Sequence, residues 1–244
     1  MRTSRPTRTG SAGWHASRNS LRMKHATQLA APAPYVLWLV GLDAEPTAAE
    51  VGLLAPAERA RASKMRWDRD RIRFLAAHCA LRLLLAEREG VPPQSLRYAA
   101  GAHGKPRLQG EGRCSFSLSY AAQQALIAIA DGTEIGVDVT RLIPLPDAGQ
   151  LAERYCSPVE RMDLDQLPEA ERAAAFLRCW TRKEAVLKAA GIGLGLPLQQ
   201  IDAGIGEARR HLTVPTPPRE QRVELASVPA GGQLVAAVAR VVPG

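Results

Sequence analysis

Glu184 places a carboxylate inside an apolar helical stripe. The segment FLRCWTRKEAVLKAAGIGLGLPL covers residues 176–198, and its apolar side chains recur with the spacing of a helix. When successive residues are set about 100° apart around the helix axis, Glu184 falls between Trp180 and Leu177, where a core residue is expected. An unpaired buried carboxylate is costly, so this position requires an ion pair, a proton or a metal ion.

Two partners for Glu184 remain open from the residues alone. Lys188 follows one turn later, in the favourable order for a Glu-to-Lys pair on a helix. Alternatively, Glu184 shares a cation with Asp138, because Mg²⁺ accepts one or two carboxylates, keeps several waters and bridges substrate phosphates. In that interpretation Lys188 is free to act as a point charge on phosphate.

Asp138 lies in the segment EIGVDVT, residues 134–140, which predicts a strand. Side chains of a strand alternate between its faces. The three β-branched residues therefore share the inward face, and Asp138 shares the other face with Gly136 and Thr140. A glycine in a strand lets another backbone or a ligand approach closely, so Asp138 is expected to project beside an open patch. The alternative is a solvated aspartate at a strand edge.

Two basic groups are candidates for binding anions. The segment HGKPRL (103–108) combines glycine, which permits close backbone approach, with Lys105 and Arg107; basic turns of this kind are also common without a ligand. The second group shares one face of a predicted helix and consists of Arg66, Arg69 and Arg73. Arg73 stands beside apolar residues and is the member expected to turn into a cleft.

The elements that must position these residues predict an α+β fold of two similar lobes with the active site in the cleft between them. Strands are predicted at residues 35–42, 96–100, 115–119, 124–130 and 134–142, with further β-rich pieces at 221–228 and 233–242. Helices are predicted from Pro56, over 68–89, and near 147–155, 158–165 and 168–190. We expect a disordered leader (1–32), an N-terminal lobe (33–131) and a C-terminal lobe (132–244).

The positive charge of the chain is concentrated in the leader. The net charge is +8, and residues 1–30 contain six arginines and lysines without any acid, so the remainder carries about +2. The leader lacks periodicity and is expected not to fold. Its composition is that of a transit peptide, although Met23 also offers a later start. No recognition motif accompanies the charge, so nucleic acid is not an expected partner.

Other classes are limited by composition. With 46% apolar residues in a chain of 244, a sizeable core is expected. No apolar run reaches the length of about 20 residues that a bilayer span requires, and no secretory signal is evident, so no membrane association is expected. The four cysteines show no metal-ligand spacing, which favours a reduced, cytoplasmic setting.

The motifs occur in an order that resembles a known family. A basic helix, GKP, an S-x-S strand, IGVDV (135–139) and WTRKEAVLKAAGIGL (180–194) follow one another. This order resembles the Sfp-type (surfactin-type) 4′-phosphopantetheinyl transferases over about residues 35–242. The resemblance implies two similar α+β lobes with coenzyme A between them. It also implies attack of a carrier-protein serine on the β-phosphate of coenzyme A, transfer of phosphopantetheine and release of 3′,5′-ADP.

The resemblance implies a metal site and a phosphate contact. Asp138 and Glu184 match the family's metal carboxylates, for which Mg²⁺ is the expected ion and Mn²⁺ an alternative. Thr140 stands where the family often has a glutamate, and its hydroxyl would hold a water on the metal. Lys188 matches the lysine that contacts phosphate and acts with Glu184 in catalysis.

Further roles are implied for the coenzyme A site and for proton transfer. Arg73, Lys105, Pro106 and Ser119 match residues of that site. Tyr120 stands where the family usually has a histidine that contacts phosphate. The remaining match is Glu160, which corresponds to a glutamate proposed to assist deprotonation of the attacking serine.

The resemblance favours an active, Mg²⁺-dependent transferase over two alternatives. Its partner is an acidic acyl or peptidyl carrier protein, steered by basic residues such as Arg66 and Arg69, and a two-lobed chain is expected to work as a monomer. The departures at Thr140 and Tyr120 motivate a weakened relative that binds coenzyme A or carrier protein without transfer. The basic leader alone motivates the third hypothesis, a nucleic-acid binder.

Overall fold

The computed structural model describes residues 25–110, 114–216 and 219–243. Its N-terminal half contains, in order, β1 (Ala26–Leu29), β2 (Tyr35–Gly41), α1 (Ala48–Val51), α2 (Pro56–Ser63), α3 (Asp68–Glu89), β3 (Tyr98–Ala100), β4 (Pro106–Leu108), β5 (Cys114–Ala121) and β6 (Gln124–Asp131). The C-terminal half contains β7 (Ile135–Arg141), α4 (Ala148–Tyr155), α5 (Pro158–Asp165), α6 (Glu169–Ala190), β8 (Arg210–Thr216), β9 (Arg219–Val228) and β10 (Leu234–Val242). Within these ranges, no helix has both the length and the apolar composition needed to cross a bilayer.

Each half is built on a four-stranded antiparallel sheet. The strand order is β1-β2-β6-β5 in the first sheet and β7-β10-β9-β8 in the second, while β3 and β4 form a separate hairpin. One 22-residue helix accompanies each sheet, α3 in the first half and α6 in the second. Both helices end at a glycine with a left-handed conformation, Gly90 (φ 68°) and Gly191 (φ 68°), which provides a low-strain C-cap.

The two sheets pack face to face between the two long helices. In β6, Ile127 packs with the residues of α3, whereas Leu126 and Ala128 pack against the second sheet. In β10, Val238 packs against the first sheet and Ala237 against α6. The layers therefore run α3, first sheet, second sheet, α6, and the predicted α+β class is confirmed.

Strands β5 and β7 meet where the two halves join. The hydroxyl of Ser117 accepts a hydrogen bond of 3.0 Å from the Val137 amide, and the hydroxyl of Ser119 accepts one of 3.4 Å from the Val139 amide. Serine side chains of one strand thus satisfy backbone donors of the other. This arrangement places the GVD segment at the boundary between the halves.

The expected end of the leader at residue 32 is contradicted by β1. Ala26–Leu29 pairs antiparallel with β2, with Leu29 opposite Leu37. The strand is short and mostly exposed, which is why its sequence gives little periodic signal. Residues 1–24, including most of the basic leader, lie outside the described residues.

Gly136 is the point at which β7 touches α6. A Cβ at this position would lie 2.2 Å from the Ala185 carbonyl oxygen and 2.3 Å from the Ala189 amide nitrogen. Both are backbone atoms of the helix, so no side-chain rotation relieves the clash. The glycine therefore admits a backbone, one of the two close approaches expected for a glycine in this strand.

We expect Gly136→Ala to destabilise the fold by about 1–3 kcal/mol, because the added methyl group overpacks the helix–sheet contact. Urea unfolding of both proteins measures the difference. Gly149→Ala on α4 is the matched control, since a Cβ there meets nothing within 4 Å and alanine favours the helix. An unchanged unfolding midpoint for Gly136→Ala would contradict the contact.

A buried ion pair joins three segments of the N-terminal half. The carboxylate of Glu58, in the first turn of α2, accepts a hydrogen bond of 2.8 Å from the Ala55 amide and pairs at 2.6 Å with Arg82 of α3. Arg82 also donates to the carbonyls of Pro93 and Leu96, in the loop beyond α3. One acid–base pair therefore joins the short helix, the long helix and the following loop.

The C-terminal half repeats this arrangement. The carboxylate of Glu160, in the first turn of α5, accepts a hydrogen bond of 2.7 Å from the Ser157 amide and pairs at 2.6 Å with Lys183 of α6. Lys183 donates to the carbonyls of Leu198 and Ile201, in the loop beyond α6. The same device at corresponding positions supports the predicted similarity of the two halves.

Candidate active site

A cleft of about 740 Å³ lies between the two halves. The N-terminal half contributes residues of α2, α3, β5 and the loop between β3 and β4, and the C-terminal half contributes the second half of α6 and the turn after it. Its polar and charged lining residues are Arg61, Asp70, Arg73, His78, Tyr98, His103, Lys105, Ser117, Tyr120, Glu184 and Lys188. The cleft thus collects residues from both predicted lobes.

Asp138 and Lys188 meet beside this cleft. The ammonium of Lys188 lies 2.7 Å from Oδ1 of Asp138 and 3.2 Å from the hydroxyl of Ser119, which itself donates a hydrogen bond of 2.6 Å to Asp138. Asp138 is only 8% exposed, so its charge requires such partners. In the described chain the ion pair of Lys188 is therefore with Asp138 rather than with Glu184.

Glu184 is half-buried and lines the cleft. Burial raises the pKa of Glu184, the negative charge of Asp138 raises it further, and Lys188 acts in the opposite direction. Glu184 lies one helical turn before Lys188, whose ammonium contacts Asp138 at 2.7 Å, although 46 positions separate Glu184 from Asp138 in the sequence. The convergence of Asp138 and Glu184 stays a prediction, and the contact of Lys188 with Asp138 is consistent with it.

The residues present fit a hard divalent cation. Two neighbouring carboxylates in a half-buried site repel each other, and oxygen donors of this type are the ligands that Mg²⁺ prefers. A cationic group, the Lys188 ammonium, already lies against Asp138. Thr140 lies on the same face of β7 and is partly buried, but it is not among the residues that line the cleft.

The cleft wall formed by α2 and α3 carries basic side chains beside Asp70, and two of them are not predicted from the sequence. Arg73 lines the cleft as expected, together with Arg61 and His78. His78 lies 3.0 Å from Glu58 through Nδ1 and stacks on Phe74 at a centroid distance of 3.9 Å. No sequence pattern distinguishes Arg61 and His78 from solvated basic residues, because the packing of α2 against α3 decides whether their side chains face the cleft.

Lys105 and Pro106 line the cleft, but the Lys105 ammonium is already paired. It donates hydrogen bonds of 2.8 Å to Glu134 and 2.9 Å to the Ile135 carbonyl. Burial lowers the pKa of Lys105, and Glu134 acts in the opposite direction. The side-chain stem of Lys105 therefore forms part of the cleft wall. Its ammonium, which the sequence predicts to bind an anion, is instead paired with groups of the C-terminal half.

Ser119 and Tyr120 differ in their relation to the cleft. Tyr120 lines it and is 43% exposed. Ser119 is buried, and its hydroxyl is bonded to Asp138, Lys188 and the Val139 amide. Within the described chain Ser119 contacts the carboxylate rather than the open cleft.

The expected role of Glu160 in serine deprotonation is contradicted by its position. Glu160 is fully buried and is not a lining residue of the cleft. Its carboxylate accepts hydrogen bonds from the Ser157, Ala203 and Gly204 amides in addition to the Lys183 pair. A carboxylate with these partners and no exposure has no path to a hydroxyl on another protein, so Glu160 is a structural residue.

Comparisons with known proteins identify the family of this chain. The family model described as "4′-phosphopantetheinyl transferase superfamily" matches residues 134–239, which include β7 and α6. A putative 4′-phosphopantetheinyl transferase of Synechocystis is 36% identical over 172 residues, or 70% of each chain. The 4′-phosphopantetheinyl transferase HetI of Nostoc is 33% identical over 174 residues, which cover 69% of this chain and 73% of HetI. Sfp of Bacillus subtilis, also a 4′-phosphopantetheinyl transferase, is 24% identical over 61% of this chain and 65% of its own. Because the Synechocystis and Nostoc relatives are 36% and 33% identical over about 70% of the chain, this chain belongs to the 4′-phosphopantetheinyl transferase superfamily.

Proposed function

We propose that this protein transfers the 4′-phosphopantetheine arm of coenzyme A to a serine of an acyl or peptidyl carrier protein and releases 3′,5′-ADP. Its membership of the superfamily supports this activity. The observation that carries the proposal for this chain is the contact of Lys188 with Asp138 beside the cleft that Lys188 and Glu184 line between the halves. Such a site suits a substrate with a diphosphate.

The basic side chains of the cleft are proposed to hold the phosphates of coenzyme A. Arg73, Arg61 and His78 face the cleft from the N-terminal half, and Lys188 faces it from the C-terminal half. Lys188 keeps 31% of its side chain exposed, so its ammonium is accessible to a bound anion. In phosphoryl transfer, positioning and charge neutralisation supply most of the catalysis, and these residues supply both.

We propose Asp138 and Glu184 as the ligands of a magnesium ion, with manganese as an alternative and the Thr140 hydroxyl as a partner for a metal-bound water. When bound, the ion would neutralise charge on the diphosphate of coenzyme A. Ser119 holds Asp138 in place through a hydrogen bond of 2.6 Å. Tyr120 is proposed to offer one hydrogen bond to a bound phosphate.

The proposed partner is an acidic carrier protein. Trp67, at the start of α3, is 58% exposed, and the guanidinium of Arg66 lies 4.8 Å from the centre of its ring. Arg69 is exposed on the same helix and lies 3.5 Å from Asp70, so residues 66–71, with three arginines and two aspartates, keep one net positive charge. Positive charge at this position would increase the rate of encounter with an acidic surface.

A monomer in the cytoplasm is proposed as the working form. One chain supplies both walls of the cleft, so a second copy is not needed to complete it. Cys79, Cys114, Cys156 and Cys179 are all buried and free of disulfide bonds, which suits a reducing compartment.

A mass measurement on a carrier protein tests the proposed function. An apo carrier protein is incubated with coenzyme A, MgCl₂ and this protein, and its intact mass is recorded. We expect the carrier to gain the mass of one phosphopantetheine arm, and only when its acceptor serine is present. An unchanged mass with carriers of fatty-acid, polyketide and peptide pathways would contradict transfer.

A second candidate function is binding of coenzyme A without transfer of its arm. It is supported by Thr140 and Tyr120, the two residues at which the sequence departs from the family's pattern. Calorimetric binding of coenzyme A together with an unchanged carrier mass would favour this alternative. A carrier that gains the arm would exclude it.

A further inference from the structure

The loop between β3 and β4 forms a thin wall of the cleft. Lys105 and Pro106 line the cleft on one side, and the same two residues line a second cavity of about 330 Å³ on the other. Because open space lies on both sides of Lys105 and Pro106, these two residues have fewer packing contacts than core residues have. Specific polar contacts therefore help to hold this wall.

A single carboxylate of the C-terminal half provides such contacts. One oxygen of Glu134 accepts a hydrogen bond of 2.8 Å from Lys105, and the other lies 3.0 Å from the guanidinium of Arg107. Lys105 also donates to the Ile135 carbonyl at 2.9 Å. Glu134 immediately precedes β7, the strand that carries Asp138, so these contacts connect the loop to the frame of the candidate site.

The loop also lies against the end of α6. A Cβ at Gly193 would lie 3.2 Å from Cβ of His103, and one at Gly191 would lie 4.0 Å from Cδ of Lys105. The stem of Lys105 therefore passes beside the last turn of the helix that carries Glu184. The loop therefore contacts the start of β7, the strand that carries Asp138, and lies beside the end of α6, the helix that carries Glu184.

We propose that Glu134, Lys105 and Arg107 form a clasp that fixes the β3–β4 loop as a wall of the coenzyme A site, and that Glu134 is a positioning residue for substrate binding. This inference rests on the proposed function of the cleft. Glu134 does not line the cleft. It acts through Lys105, whose side chain is 11% exposed, while its own is 32% exposed.

The clasp is tested with Glu134→Gln, which keeps the size of the side chain and removes its charge. We expect the KM for coenzyme A to rise roughly tenfold, with kcat changed by less than about twofold, because the loss affects binding rather than the reacting groups. Calorimetry should show the same loss of affinity without carrier protein. Hydrogen exchange of amides 101–108 should become faster.

A double-mutant cycle separates a clasp from a general structural effect. Lys105→Met should weaken binding as much as Glu134→Gln, and the double substitution should add little, since the two residues act as one unit. Glu134→Asp should restore part of the affinity. Asp131→Asn is the matched control, because it removes the exposed Arg88–Asp131 pair three positions earlier without touching the loop.

The results that would overturn the clasp differ from those that would overturn the proposed function. Unchanged coenzyme A affinity in Glu134→Gln, additive effects in the cycle, or an equal loss in Asp131→Asn would each exclude the clasp. An unsubstituted chain that binds coenzyme A but modifies no carrier would exclude transfer and leave the clasp measurable by calorimetry. A chain that does not bind coenzyme A at all would contradict both.

Discussion

Replacing Asp138 with asparagine is expected to reduce phosphopantetheine transfer by at least about 100-fold, the scale seen when one preorganised electrostatic group is removed from a phosphoryl- or acyl-transfer site. Asparagine keeps the shape but removes the charge that pairs with Lys188 at 2.7 Å. Glu184→Gln should have an effect of the same size, because both carboxylates serve one site. Initial rates with an apo carrier protein measure both losses.

Two controls connect this loss to the site rather than to the fold. Glu169→Gln removes an exposed carboxylate from the first turn of α6, the helix that carries Glu184, and should leave the rate of transfer unchanged. Urea unfolding should show that Asp138→Asn remains folded. A variant at either carboxylate that keeps the unsubstituted turnover would contradict the proposed roles of both.

Replacing Glu160 with glutamine is expected to lower the free energy of unfolding by about 3–5 kcal/mol, because it leaves Lys183 buried without a counter-charge. The Glu160–Lys183 distance is 2.6 Å, and both side chains are almost fully buried. Urea unfolding measures the loss. Glu58→Gln should produce a loss of similar kind in the other half, where Glu58 pairs with the buried Arg82.

The same variant separates a structural role from a catalytic one. Once the rate of Glu160→Gln is corrected for the folded fraction, transfer should equal that of the unsubstituted protein. A stable Glu160→Gln protein with severely reduced turnover would restore the role in serine deprotonation that its burial excludes.

Much of the fold can be predicted from the sequence, because the local sequence patterns agree with the packing in the structure. The predicted helix over 68–89 coincides with α3, and its end at Gly90 follows from the left-handed cap there. The alternation in EIGVDVT predicts that Ile135, Val137 and Val139 share the inward face of β7, and these three residues pack in the core between the sheets. Residue spacing alone allows a solvated Asp138 and a simple Glu184–Lys188 pair on the helix. Only the resemblance to the family, through the order of its motifs, pairs Asp138 with Glu184.

The remaining features depend on contacts between segments that no local pattern records. Lys105 was expected to offer a free charge, but its partner Glu134 lies 29 positions away and belongs to the other half. Glu160 matched a motif position, yet its environment comes from Lys183 and the backbone of Ala203. Arg61 and His78 became candidates only when the packing of α2 and α3 showed which way they face.

The central claim is that Asp138 and Glu184 bind one divalent ion together, and titration with Mn²⁺ followed by electron paramagnetic resonance tests it most directly. We expect the unsubstituted protein with coenzyme A to bind one Mn²⁺ per chain, and Mg²⁺ to displace it. Asp138→Asn and Glu184→Gln should each weaken this binding, and the double variant should be little weaker than either one. Unweakened Mn²⁺ binding in either single variant, or no Mn²⁺ binding by the unsubstituted protein, would contradict the claim.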